Sequence, residues 1–112
     1  MLFRSHGHGD RVGEALNSSV SSGCVISGAQ VTGSVLAPRV KVHSYATIVD
    51  SVILDAVEIG RYATIRRAII DKYSVIQEHA MIGIDHDHDR ARGFHVSENG
   101  VVVVPRDSVV AP

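Results

Sequence analysis

The sequence contains no tryptophan, and aromatic side chains make up only 4% of its 112 residues. Hydrophobic residues nevertheless account for 45% of the chain. A core of this composition cannot be organised around large rings, so it must be built from Val, Ile, Leu and Ala. We therefore expect many thin layers of aliphatic side chains in place of one bulky core.

Cysteine, long apolar runs and excess charge are also scarce. The single cysteine, Cys24, has no intrachain partner for a disulfide, and no apolar run approaches the ~18 residues of a membrane-spanning helix. Signal-peptide features are not recognisable at the N-terminus. The formal net charge of -1 gives no overall field that would attract nucleic acid or anionic lipid, so any anion site must be local. We expect a cytoplasmic, single-domain protein that binds neither nucleic acid nor membranes.

A repeat of 17 residues organises the middle of the chain. Four rows, 19–35, 36–52, 53–69 and 70–86, align without a gap. Three columns of this alignment hold only aliphatic or small residues: Val25, Val42, Ile59, Ile76; Ala29, Ala46, Ala63, Ala80; and Val31, Ile48, Ile65, Ile82. Stacked coils would place each column in one ladder down a common axis.

Within each complete coil the aliphatic residues recur every six positions, as in Leu36, Val42 and Ile48. This step fits neither a helix nor a long alternating strand, so each coil has three faces, each a short strand followed by a turn. The pattern predicts an all-β parallel β-helix of hexapeptide-type coils over residues 19–86. A linker over 1–18 precedes it, and a C-terminal loop with a returning strand follows over 87–112.

The outward-facing columns predict contacts between neighbouring coils. Residues 45, 62 and 79 are Tyr, Tyr and His, which indicates a stacked aromatic edge. The outward columns also predict four ion pairs between neighbouring coils: Lys41 with Glu58, Arg61 with Glu78, Asp50 with Arg67, and Asp55 with Lys72. Exposed ion pairs contribute about 0–1 kcal/mol each, and these four would help to keep the coils in register.

Histidines and aspartates cluster at residues 85–89 (Asp-His-Asp-His-Asp), and His6 and His8 lie near the N-terminus. Alternate residues of a loop rarely converge into a closed metal site without further fixed ligands. We therefore predict no metal site and interpret the run as a solvated acidic turn where the β-helix ends. No nucleophile with a base and no phosphate-binding glycine loop is recognisable, so we predict no catalytic residue.

Three stretches resemble the C-terminal domain of the bacterial ADP-glucose pyrophosphorylases (glucose-1-phosphate adenylyltransferases). They are residues 14–28 (EALNSSVSSGCVISG), 66–72 (RRAIIDK) and 90–104 (RARGFHVSENGVVVV). Hexapeptide repeats alone are shared by many families, whereas these three stretches in this order are specific. The resemblance extends over residues 3–110.

Enzymes of this family join ATP and glucose 1-phosphate to give ADP-glucose and pyrophosphate, in glycogen biosynthesis. The resemblance places that chemistry, with its Mg²⁺, in an N-terminal nucleotidyltransferase domain that is not recognisable in this sequence. It implies a left-handed β-helix, although the columns themselves do not determine the hand. It also implies contacts with further copies of the chain and with the catalytic domain, no cofactor in this chain, and no activity of this chain alone.

The resemblance further implies a share in an allosteric site, where phosphorylated metabolites activate and AMP or phosphate inhibits. Lys72 and Arg106 match basic positions that are associated with effector binding in the family. A lysine and an arginine that converge can hold a phosphate through charge-assisted hydrogen bonds. A further basic residue one turn after Arg106 is replaced here by Val109 and Val110, which bears on the choice of effector.

Three other functions remain open from the sequence. A hexapeptide acyltransferase would use a histidine such as His43 or His79, but the unbroken repeat from Leu36 to Ile82 leaves no extruded loop. A trimeric carbonic anhydrase of the γ type would need paired histidines on one face, where His79 shares its column with two tyrosines. A self-assembling scaffold would use the open strand edges, including that of residues 101–104.

Overall fold

The computed structural model describes residues 14–112, which form sixteen short strands and one helix. Most strands have two or three residues, too few to be stable except as parts of a larger sheet. In chain order the elements are β1 (Glu14–Leu16), β2 (Ser19–Val20), β3 (Val25–Ile26), β4 (Gln30–Thr32), β5 (Val35–Leu36), β6 (Lys41–Val42), β7 (Thr47–Val49), β8 (Val52–Ile53), β9 (Glu58–Ile59), β10 (Thr64–Arg66), β11 (Ala68–Ile70), β12 (Val75–Ile76), β13 (Met81–Ile82), α1 (His86–Ala91), β14 (His95–Val96), β15 (Val102–Val104) and β16 (Val109–Val110).

The strands form three sheets. Sheet 1 has the order β1-β4-β7-β10-β13, sheet 2 the order β14-β15-β11-β8-β5-β2, and sheet 3 the order β16-β12-β9-β6-β3. Apart from β14 and β15, successive strands belong to different sheets, and the strands pair in parallel except for β14 with β15. The chain therefore winds around one axis as a parallel β-helix, which confirms the predicted fold.

The core consists of aliphatic ladders along this axis. Most strands turn one side chain inward, and β11 and β15 turn two. The inward residues of neighbouring coils are register partners, as Ile48 is with Ile65 and Ile65 with Ile82. All three side chains are fully buried. Alanines at 29, 46, 63 and 80 fill a narrow corner and are at most 1% exposed. The predicted alanine column and the predicted column of Val31, Ile48, Ile65 and Ile82 are confirmed. β-Branched residues suit such short, pleated faces.

The first coil departs from the predicted alignment, because it is one residue shorter. Val20 pairs with Leu36 and Ile26 pairs with Val42, in both cases 16 residues later, while the 17-residue step begins at the pairing of Val31 with Ile48. The missing residue falls between Ile26 and Val31. The assignment of Val25 to the buried column was therefore wrong, since Val25 is 52% exposed and Ile26 only 8%.

Buried serines join the coils at the corner between sheets 1 and 2. The hydroxyl of Ser34 donates to the carbonyl oxygen of Thr32 at 2.9 Å and accepts the backbone N–H of Ser51 at 3.0 Å. Ser18 and Ser51 make the same two contacts one coil before and one coil after. Every buried hydroxyl in this row is satisfied as donor and acceptor, which a buried polar group requires.

Each corner also contains a residue with left-handed backbone geometry. Ten of these residues are not glycine and have φ between 47° and 65°. An L-residue in this region costs about 1–2 kcal/mol relative to right-handed helical geometry. The corner N–H groups offset this cost by donating across the coils, as Arg67 does to the carbonyl oxygen of Val49 at 3.0 Å.

After β13 the chain leaves the coils, forms α1 and β14, and then rejoins them. β15 pairs in parallel with β11, and β16 pairs with β12. The predicted limits 19–86 are therefore too narrow, because β1 extends the stacking on one side and β15 and β16 on the other. The strand at residues 102–104 continues the β-helix, and β14 covers its outer edge in antiparallel pairing.

Within the described residues no helix has the length and apolar character needed to cross a membrane.

Two substitutions test whether Ile26 or Val25 faces the core in the first coil. Ile26→Ala should lower the free energy of unfolding by about 2 kcal/mol or more, because it removes a buried side chain and leaves a cavity. Val25→Ala should change it by less than about 0.5 kcal/mol, because that side chain faces solvent. Chemical denaturation of both variants measures the difference. A larger loss for Val25→Ala would restore the uninterrupted 17-residue alignment and contradict the register described here.

Candidate functional site: two stacked cations at a corner of the β-helix

Lys72 and Arg106 occupy equivalent positions in neighbouring coils. Ile70 pairs with Val104 before the turn, and Val75 pairs with Val109 after it, so the two turns between them lie in register. The N–H of Asp107 donates to the carbonyl oxygen of Lys72 at 3.0 Å. The two basic residues, far apart in sequence, therefore come to within about one strand spacing, ~4.8 Å between backbones.

The side chains of Lys72 and Arg106 are exposed and make no ion pair or hydrogen bond with any other residue of the described part of the chain. The predicted partner of Lys72, Asp55, is instead engaged by Arg39, whose Nη2 lies 2.5 Å from Asp55 Oδ2. Two neighbouring like charges repel, and an anion between them relieves that repulsion. The corner therefore has the electrostatic character of an anion site.

Carboxylates adjoin this corner on both sides. Asp71 precedes Lys72, and its Oδ1 accepts the backbone N–H of Lys72 at 2.8 Å. Asp107 follows Arg106 at a left-handed corner position with φ 57°. The Asp71 carboxylate is thus directed to the backbone, whereas Asp107 is exposed beside Arg106 and offsets part of the positive charge of the corner.

None of the four predicted ion pairs is present among the ion pairs of residues 14–112. Lys41 and Glu58 are register partners, but Glu58 Oε2 contacts His43 Nε2 at 2.8 Å. The charged side chains therefore pair diagonally across neighbouring coils, and not with the residue directly opposite.

The predicted aromatic edge is confirmed, because the rings of Tyr45 and Tyr62, and those of Tyr62 and His79, stack with centroids 5.0 Å apart.

The two histidines considered as catalytic candidates are not brought together. His43 pairs with Glu58 in an open cleft of about 520 Å³, which Arg61, Glu78 and Pro112 also line. His79 instead belongs to the aromatic stack. In the described residues no three His, Cys, Asp or Glu side chains converge as metal ligands.

Comparison with known proteins agrees with the stacked coils. A family model described as "GlmU-like, C-terminal hexapeptide" matches residues 3–104. The chain belongs to this family. The glucose-1-phosphate adenylyltransferase of Shewanella sp. (strain W3-18-1) is 53% identical over 103 residues, which are 92% of this chain and 24% of that protein. The enzyme of the same name from Bifidobacterium longum (strain DJO10A) is 49% identical over 105 residues, 94% of this chain and 25% of that protein.

This hexapeptide domain thus spans about a quarter of the length of the curated relatives it matches, and it corresponds to their C-terminal part. The region of similarity includes the 66–72 stretch on which the family resemblance rested. Lys72 lies two residues after the end of β11, the strand that pairs with β15. The effector roles of Lys72 and Arg106 remain predictions, since the names of the relatives assign no role to single residues.

The predicted acidic turn at residues 85–89 is a short helix, so that prediction was wrong. Asp85 caps α1, with its Oδ1 accepting the N–H groups of Asp87 at 3.1 Å and His88 at 3.3 Å. Asp89 is fully buried; its carboxylate accepts the N–H of Gly83 at 3.0 Å and the guanidinium of Arg92 at 2.6 Å. His6 and His8 lie outside the described residues.

Asp89 should therefore be a structural anchor of this segment. Asp89→Asn removes the charged partner of the largely buried Arg92 and should lower the free energy of unfolding by ~3 kcal/mol. The matched control is Asp87→Asn, since the Asp87 side chain is 96% exposed and its change should stay within about 0.5 kcal/mol. Thermal and chemical unfolding measure both variants. Similar losses for the two variants would contradict the buried ion pair.

Proposed function

We propose that this chain is the regulatory and oligomerisation part of a glucose-1-phosphate adenylyltransferase, and that Lys72 and Arg106 bind the phosphate group of its effectors. The observation that carries the proposal is the stacking of these two exposed cations in register, with neither paired to another described residue. The names and similarity of the relatives support the choice of enzyme.

On this proposal the conversion of ATP and glucose 1-phosphate to ADP-glucose and pyrophosphate, for glycogen synthesis in the cytoplasm, belongs to the whole enzyme. Its Mg²⁺ would be held by the catalytic domain, because the described residues here offer no converging ligands. This chain would contribute no reacting group. Its part would be to change the enzyme's activity when an effector binds at the corner.

The two cations would share one phosphate between neighbouring coils. Arginine presents several N–H donors in a planar fork, whereas lysine supplies a compact positive charge on a flexible stem. Hydrogen bonds that involve a charged group contribute about 1.5–3 kcal/mol each. Both side chains are open to solvent, so the corner alone would bind weakly, and groups from the catalytic domain would complete the site.

The two valines at the position of the expected third basic residue differ in their orientation. Val110 is buried at 2% exposure, whereas Val109 points outward at 67%. Only residue 109 could therefore present a charge to a ligand, and here it does not. A corner with two outward cations favours a ligand with a single phosphate group over a bisphosphate.

Contacts between copies of the chain would involve its exposed apolar side chains. Val75 and Val109 are register partners on the outside of sheet 3 and are 38% and 67% exposed. Tyr73 lies in the preceding turn and is 54% exposed. Adjacent exposed apolar groups of this kind mark interaction surfaces in soluble proteins. The same sheet therefore supplies both a contact surface and, at its edge, the effector corner.

The effector corner can be tested by calorimetric titration with AMP, inorganic phosphate and fructose 1,6-bisphosphate. The double variant Lys72→Ala, Arg106→Ala should weaken binding at least about tenfold, which corresponds to ~1.4 kcal/mol. The matched control is Lys41→Ala, Arg61→Ala, which removes the same two charges from strand β6 and from another turn and should bind like the wild type. Equal affinities of the two double variants would contradict a site at this corner.

A further inference from the structure

A second group of cations lies at a different corner, where the chain leaves the coils. A small cleft of about 200 Å³ is lined by Arg66, Arg67, Gly83, Ile84, His86 and Gly100. No carboxylate is among these lining residues. Two arginines and a histidine thus line one space: Arg66 ends β10, Arg67 lies in the corner after it, and His86 begins α1. The side chains of Arg67 and His86 both lie near Gly100, in the loop before β15.

The donors in this cleft are largely unused. Arg67 is tethered, because its Nη2 donates to the carbonyl oxygen of Asn99 at 2.7 Å. The guanidinium of Arg66 and the ring of His86 make no hydrogen bond or ion pair with another described residue. Asp50, the predicted partner of Arg67 in the preceding coil, is exposed and forms no ion pair with it. Asp50 therefore lies near Arg67 without pairing with it, and the guanidinium of Arg66 and the ring of His86 keep donors that a ligand could use.

Two glycines with positive φ keep the cleft open. A Cβ at Gly83 (φ +83°) would collide with the carbonyl oxygen of Arg66. A Cβ at Gly100 (φ +80°) would lie 3.1 Å from His86 Cε1 and 3.8 Å from Arg67 Nη1. Any side chain at residue 100 would thus occupy the space between these two basic groups. The hydrogen bond from Arg67 to Asn99 and the close approach of Gly83 to the backbone of Arg66 fix the shape of the cleft before a ligand binds. Less conformational entropy is then lost on binding.

We infer that this cleft binds the phosphate group of a small anionic ligand. Its volume lies below the roughly 300–1,000 Å³ of sites that enclose a whole small molecule, so it suits one phosphate group. Guanidinium groups match phosphate oxygens in geometry and charge. Strand β11 separates this corner from Lys72 by five residues of chain, about 16 Å if fully extended. The inference therefore goes beyond the effector corner and does not depend on it.

The test is an NMR titration of the ¹⁵N-labelled chain with inorganic phosphate, with sodium chloride at matched ionic strength as the reference. Phosphate should shift the amide signals of Gly83, His86 and Gly100. Arg66→Gln should weaken this response at least about tenfold, equivalent to ~1.4 kcal/mol. Arg61→Gln removes the same charge at another corner and should leave the response unchanged.

A second pair of variants tests the cleft through its shape. Gly100→Ala places a methyl group between His86 and Arg67 and should abolish the response. Gly93→Ala imposes a similar backbone strain at φ +87°, but its Cβ meets nothing within 4 Å, so the response should persist. Unfolding curves of both variants confirm that each is folded under the conditions of the titration.

The outcomes separate this inference from the effector corner. Shifts confined to the turn at Lys72 and Arg106 would contradict a phosphate site in the cleft and support one at that turn. Shifts confined to Gly83, His86 and Gly100 would support the site in the cleft and contradict the one at the turn. Equal responses of wild type and Arg66→Gln, or equal responses to phosphate and chloride, would overturn the inference. The absence of any phosphate-dependent shift would overturn both sites.

Discussion

The hydrogen bonds that join each coil to the next are the interaction on which this structure depends. Strands of two or three residues have little stability alone, so order arises only when neighbouring coils share their backbone donors and acceptors. The buried hydroxyls of Ser18, Ser34 and Ser51 add side-chain links in the same direction. Because these bonds fix the register residue by residue, side chains separated by one coil in sequence become neighbours in space.

The same constraint explains how far the sequence could predict the fold. The recurrence of alanine at 29, 46, 63 and 80 and of aliphatic residues six positions apart correctly predicted three faces and a stacked core. The first coil could not be aligned, because Val25 and Ile26 are both aliphatic and the pattern offers no way to choose between them. Helix α1 was missed for another reason: its six residues carry no apolar period, and the buried contacts of Asp89 stabilise it.

The candidate site was less accessible to sequence reasoning. Lys72 and Arg106 were singled out by family resemblance, but nothing in the repeat places them together, because the 17-residue period ends at Ile82. Their contact depends on the pairing of β15 with β11, which becomes visible only in the folded chain. The partner of Asp55 was also mispredicted, since Arg39 reaches it diagonally. Because the chain leaves the coils after β13 and returns in β15, Arg106 comes to lie beside Lys72, and Gly83, His86 and Gly100 come to lie beside Arg66 and Arg67.

The most direct measurement of this account is a cysteine cross-link between residues 72 and 106. In a Cys24→Ser background, Lys72→Cys with Arg106→Cys should form a disulfide readily, because equivalent positions of stacked coils lie ~4.8 Å apart, within the 4.4–6.8 Å that Cα atoms of a disulfide span. Arg61→Cys with Arg106→Cys, at different corners, should not cross-link. Failure of the first pair, or equal cross-linking of both, would contradict the register that brings the two cations together.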